Sequence, residues 1–175
     1  MIVCGSGHRK VFGDYPDDDV FRALIQFCRV PLEALQPERV LSGMALGWDL
    51  AIARAALLEG IPLTVCLPHE DQCGRWPKHM RRVWREIVEE ADKSVLVWKE
   101  PGYESWGIDG IGYVHSLRKR NDYMVDHSDA VVAYWDGENK GGTAHCLEYA
   151  RASDKKIING FEGFRAYWNY GLWLI

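Results

Sequence analysis

The feature that most constrains this fold is the alternation of short apolar runs with helix-like stretches, two of the handovers being glycine-rich turns. Residues 1–4, 40–41, 63–67, 94–98, 130–134 and 156–158 read as strands. Residues 17–30, 50–58, 78–91, 114–126 and 143–152 read as helices, with apolar positions at helical spacing and Asp17 or Asp18 as the first N-cap. Residues 99–113 carry five glycines or prolines and no periodicity, which predicts a long loop of the functional kind. Strands apolar along their whole length, each followed by a helix, predict an α/β fold. It is a Rossmann-like three-layer sandwich with a mainly parallel sheet and helices on both faces.

In such sheets ligands bind at the carboxyl ends of the strands. Residues 5–9, 42–49, 68–76, 99–113 and 136–143 all fall on that edge. Both glycine turns stand there, Ser42-Gly43-Met44-Ala45-Leu46-Gly47-Trp48-Asp49 and Gly137-Glu138-Asn139-Lys140-Gly141-Gly142-Thr143. Each puts small residues and unpaired backbone N–H groups at a helix N-terminus, an arrangement suited to phosphate. Gly43 is expected to make the sharp turn and Gly47 to bring the chain close to a ligand. Gly142 is expected to leave room for phosphate and to need a positive φ. Asp49, in the first helical turn, either caps the helix or accepts a ribose hydroxyl. The first turn has the spacing of neither a dinucleotide fingerprint nor a P-loop.

The chain is 175 residues long, enough for one domain with a proper core. Its formal charge of -4 disfavours electrostatic binding of nucleic acid, and five scattered cysteines without a CxxC pair indicate neither zinc nor a disulfide framework. With no bilayer-length apolar stretch and no signal peptide pattern, the reading is a protein of the reducing cytoplasm with no membrane partner. No cofactor is expected, and no metal: His69, Glu70 and Asp71 resemble ligands in type but are adjacent, and cannot all face one ion. Of the eight tryptophans, Trp76, Trp98 and Trp106 fall in presumed loops, where Trp76 either stacks on a base or anchors the loop. Residues 161–175 form an aromatic extension that packs over the sheet edge or serves a homo-oligomer contact. Arg118, Lys119 and Arg120 form a basic cluster on a helix, and Cys73 lacks the histidine partner of a catalytic thiol.

The segment Leu41 to Ala51 closely resembles the SGxAxGxD element of the SLOG superfamily, which unites the DNA-processing DprA proteins with the LOG nucleotide hydrolases. Gly7-His8-Arg9, then Gln72 and Trp76, then Arg120-Asn121 with Met124-Val125-Asp126 and Gly141-Gly142-Thr143, match the YpsA-like branch in order. The resemblance implies a Rossmann-like fold and a nucleotide or nucleotide-derived ligand. It implies contacts from Gly7, His8, Arg9, Ser42, Gly43, Gly47, Asp49, Gln72, Trp76, Arg120, Asn121, Gly141, Gly142 and Thr143, with Arg9 and Arg120 as phosphate partners. The LOG hydrolases carry a glutamate three residues after the threonine, where this chain has Cys146. Glu148 lies two residues further on, rotated by roughly 200° around the helix. If the chain is instead an N-glycosidic hydrolase or transferase, Glu148, Asp49 or Asp136 supplies the carboxylate. Single-stranded DNA binding, as in the DprA proteins, is the third reading.

Overall fold

In a computed structural model, which describes residues 1–104 and 110–172, six strands form one all-parallel sheet in the order β4-β3-β2-β1-β5-β6. The strands are β1 (Ile2–Gly7), β2 (Arg39–Ser42), β3 (Leu63–Leu67), β4 (Lys93–Leu96), β5 (Ala130–Tyr134) and β6 (Lys156–Asn159). The helices are α1 (Asp18–Leu35), α2 (Trp48–Leu58), α3 (Lys78–Glu90), α4 (Gly110–Asp126), α5 (Gly141–Ala152) and α6 (Phe161–Asn169). The fold is therefore the α/β, Rossmann-like one that the apolar runs predict.

Side chains alternate across the sheet with the period of two that a strand imposes. Val3, Val40, Val65 and Val132 enter one core with residues of α1, α2, α3 and α6. Cys4, Leu41, Cys66 and Val131 enter a second core with residues of α4 and α5. The chain winds outward from β1 to β4, and α4 then carries it back to β5 on the other side of β1. Strand order reverses at β1, so a crevice opens beyond the carboxyl ends of β1 and β5.

Several boundaries differ from those predicted. Helix α1 runs through Pro31 to Leu35, because Cys28 and Leu32 are fully buried and their packing outweighs the missing N–H. It starts at an N-cap, Asp17, whose side chain accepts from the Val20 N–H, and stops where Gln36 turns left-handed, φ 44°. Helix α4 begins at Gly110, inside the segment predicted as a loop, and a turn of 3-10 helix occupies Val97–Lys99. Residues 105–109 of that loop, with Trp106, and Trp173 of the tail lie outside the described residues. The aromatic tail forms α6, whose Phe164 is fully buried against Phe27 of α1 and Tyr134 of β5. Among the described residues no helix is long and apolar enough to cross a membrane.

Candidate functional site

The first glycine turn, between β2 and α2, is built against protein rather than opened to a ligand. Gly47 sits at φ 84°, and a Cβ there would fall 2.6 Å from the His8 carbonyl oxygen and 2.8 Å from that of Arg9. The N-terminus of α2 is closed by its own chain: the Trp48 N–H donates to the His8 carbonyl at 3.4 Å and the Leu50 N–H to that of Ala45 at 3.1 Å. Asp49 is buried, and its Oδ1 accepts the Gly7 N–H at 3.1 Å, so it fastens the turn to the end of β1. Ser42 Oγ donates to the Asp49 carbonyl at 2.7 Å and accepts the Met44 N–H at 3.1 Å. These contacts correct the expected division of labour. Met44 takes the left-handed conformation, φ 57°, and Gly47 gives close approach to the loop after β1. Gly43 is small because the Arg120 guanidinium lies on it, 2.1 Å from where a Cβ would stand.

The second turn, between β5 and α5, is open. Gly141 holds the positive φ, 83°, that was expected of Gly142. Around Gly142 the nearest atom to an added Cβ is Asn121 Nδ2, 3.9 Å away. No side chain caps α5. Its first-turn N–H groups therefore carry the partial positive charge of an unsatisfied helix start.

Two adjacent residues of α4 tie the turns together. Arg120, only 4% exposed, donates through Nη1 to the Gly43 carbonyl and through Nε to Asn121 Oδ1 at 2.9 Å. Asn121 Nδ2 then donates to the Gly142 carbonyl at 3.1 Å. Gln72 is buried and donates to the same Gly43 carbonyl at 2.9 Å, leaving its Oε1 without a partner. Burial pushes the Asp49 carboxyl above its ordinary value, opposed by Arg120, the Gly7 N–H and Arg9. Burial likewise lowers the Arg120 guanidinium, with Asp49 opposing. His8 Nε2 lies 3.0 Å from Asp136 Oδ1. Against partial burial, the Glu138 N–H and the His8 ring hold the Asp136 carboxyl below its ordinary value.

A polar cleft of about 230 Å³ opens between the turns, lined by Ser6, Gly7, His8, Arg9, Ala45, Asp49, Leu117, Arg120, Asn121, Gly142 and Thr143. Two larger grooves flank it. One, of about 730 Å³, is lined by His8, Arg9, Lys10, Phe12, Tyr134, Asp136, Lys140, Gly141, Phe161 and Arg165 among others. The other, of about 670 Å³, runs past Arg9, Tyr15, Leu46, Arg75, Trp76, His79, Met80 and Tyr113. Arg9 borders all three, is exposed, and forms no hydrogen bond or ion pair among the described residues.

The structure thus brings most of the predicted site residues to one crevice but gives them unequal surroundings. Ser42, Gly43, Gly47 and Gln72 frame the cleft from behind, while Gly142, Thr143, Arg120 and Arg9 face it. Trp76 lies in the 670 Å³ groove and Asp136 in the 730 Å³ groove. Glu148 is exposed on α5 and lines none of the three spaces. Cys146, three residues after Thr143, is fully buried in the second core, and burial pushes its thiol up to about 12. Burial also raises the Cys73 thiol, the reverse of nucleophile activation. Glu70 pairs with Lys99 at 3.2 Å, and His69 is buried with both ring nitrogens unpartnered. Among the described residues no cluster of three or more His, Cys, Asp or Glu could hold a metal ion. Sequence reasoning missed Lys10, Phe12, Tyr113, Phe161 and Arg165. Only Lys10, next to the Gly7-His8-Arg9 motif, carried a local signal.

Comparison with known proteins follows the same lines. A family model, YpsA, described as the YspA SLOG family, matches residues 38–162. The SPbeta prophage-derived protein YoqJ of Bacillus subtilis, itself uncharacterised, is 44% identical over 78 residues, 43% of this chain and 40% of YoqJ. The matched part spans about two fifths of the length of the curated relatives. DNA processing protein A of Helicobacter pylori, described for its single-stranded DNA binding mode, superposes with a TM-score of 0.59 at 20% identity, over 91% of this chain and 64% of that one. The molybdenum cofactor carrier protein of Chlamydomonas reinhardtii superposes with a TM-score of 0.52 at 15% identity, over 90% of this chain and 74% of that one. At these identities the two structures share the fold.

Proposed function

Since this chain belongs to the YspA SLOG family, we propose that it binds the phosphate of a nucleotide or nucleotide-derived small molecule in the polar cleft between its two glycine turns. The observation that carries this reading is the meeting of two positive elements at one small cavity. One is the N-terminus of α5 at Gly141–Thr143, without a side-chain cap; the other is Arg9, exposed and with no hydrogen bond or ion pair among the described residues. An anion there gains N–H donors and a charge-assisted hydrogen bond at little reorganisation cost. Arg120 lines the cleft but is held by the protein, since its guanidinium is already engaged by Gly43 and Asn121.

A titration by calorimetry tests the reading, with the four common ribonucleoside monophosphates and ribose 5-phosphate as ligands. Native mass spectrometry of the freshly purified protein adds a check for a retained nucleotide. Saturable binding of a phosphorylated ligand, absent for the corresponding nucleoside, is expected. Equal binding of nucleoside and nucleotide would remove the cleft from consideration.

A second reading, single-strand nucleic acid, draws on the 730 Å³ groove, whose lining includes Lys10, Lys140 and Arg165 together with Phe12 and Phe161. It also draws on the DNA processing protein that shares the fold. The formal charge of -4 weighs against it, and Lys140 is already paired with Glu138. A gel shift with a labelled oligonucleotide at low and high salt decides, since a true complex weakens steeply with salt.

A further inference from the structure

We propose that the groove of about 670 Å³ on the α3 side of Arg9 is the subsite for the planar heterocycle of the ligand, a choice that rests on the phosphate reading above. The groove and the cleft adjoin at Arg9. Arg9 borders both, Leu46 follows the cleft-lining Ala45, and Tyr113 lies about one helical turn before the cleft-lining Leu117 on α4. A ligand with its phosphate at the start of α5 has this space and the 730 Å³ groove bordering the cleft at Arg9.

The walls suit an aromatic ring. Trp76 is half-buried, its body packed against the core beneath α2 and α3, and it has no ring partner among the described residues. A base that stacks on it therefore breaks no ring pair among the described residues. In the opposite groove the rings are already engaged: Phe12 stacks on Phe164 with centroids 5.9 Å apart, Tyr134 on Trp48 at 5.5 Å, and Phe161 tilts against Tyr134 at 5.0 Å. Charge separates the two spaces as well. Arg75 and His79 line the Trp76 groove together with Asp17 and Asp18, so polar groups of both signs are offered to a ring edge. That balance fits a neutral heterocycle with polar substituents and disfavours a further phosphate.

The probe is 2-aminopurine riboside 5′-monophosphate, whose fluorescence is quenched by stacking, with ribose 5-phosphate as the ligand lacking a base. Wild-type protein is expected to bind the nucleotide about tenfold or more tighter than ribose 5-phosphate and to quench it. Trp76→Ala should abolish the quenching and the tenfold advantage while leaving ribose 5-phosphate binding unchanged. Trp76→Phe, which keeps a ring in the same packing, should retain part of both, and Phe161→Ala in the opposite groove should change neither. Quenching that survives Trp76→Ala, or that disappears only in Phe161→Ala, overturns the proposal. So does an equal loss of ribose 5-phosphate binding in Trp76→Ala, which would make Trp76 a support of the fold. A wild-type dimer that Trp76→Ala dissociates, with no response from the probe, assigns the groove to a second copy and also overturns it. Wild-type protein that binds ribose 5-phosphate but gains nothing from the base sinks this subsite alone. Failure to bind either ligand sinks the phosphate reading with it.

Discussion

Arg9 and Arg120 carry the same charge at the same cleft, and their surroundings give them different work. Arg120 is buried, donates to Gly43 and Asn121, and is the principal cation facing the buried Asp49. Removing it takes the principal cation from the buried Asp49 and leaves Asn121 Oδ1 without its donor. Arg120→Ala should therefore cost about 3 kcal/mol of stability, read by urea unfolding, and impair binding of every ligand alike. Arg9→Ala should leave the unfolding curve in place and weaken phosphate-bearing ligands on the order of tenfold, because only a solvent-facing charge-assisted contact is lost. Gly142 offers a cleaner test, since an added side chain there meets open space and the backbone φ is ordinary. Gly142→Val should melt within a few degrees of wild type yet fail to bind ribose 5-phosphate by calorimetry. A folded variant with unchanged affinity would refute the site.

At the scale of elements, α4 does two jobs at opposite ends of one turn and a half. Arg120 and Asn121 hold the glycine turns together, while Asp126 at its C-terminus accepts from Tyr103 Oη at 2.5 Å and from Tyr149 Oη at 3.0 Å. Those bonds clasp α4 to α5 and to the segment after β4. Burial first, and donation to Asp126 second, raise both phenols above their ordinary value. A raised acid is favoured in its protonated form by folding. The clasp therefore contributes fully below the unfolded tyrosine value of about 10 and is lost as pH rises through the folded values. Thermal melts between about pH 8 and about pH 11 should show stability falling on the alkaline side. In Asp126→Ala the protein should start less stable and fall less steeply, because the donation that raised the phenols is gone.

Across the whole molecule, the three candidate carboxylates stand in different surroundings. Glu148 is on the solvent side of α5, Asp49 is engaged by the Gly7 N–H, and Asp136 is paired with His8 outside the cleft. One well-placed carboxylate is typically worth about 10²–10⁴ in rate. We therefore expect overnight incubation with the common nucleoside monophosphates to release no free base by chromatography. Robust turnover that is lost in Asp49→Asn, Asp136→Asn or Glu148→Gln would reverse that expectation and name the group responsible.

The order of strands and helices, the α/β class and the carboxyl-edge position of the motif residues were legible in the sequence. They depend on local properties: apolar runs too short for helices, helical periodicity between them, and glycines at the handovers. Tertiary structure decided which of two similar glycine turns is open. Nothing local distinguishes Gly43–Gly47 from Gly141–Gly142. The difference is that the loop after β1 and the Arg120 guanidinium, far away along the chain, fill the first turn, while at Gly142 the nearest described atom, Asn121 Nδ2, stays 3.9 Å from an added Cβ. The course of α1 past Pro31 and the α6 helix were hidden for a related reason. Each rests on buried contacts that outweigh local preference. The grooves themselves were invisible in sequence, because Tyr113 and Trp76, or Phe12 and Phe161, become neighbours only when the sheet folds its loops onto one edge.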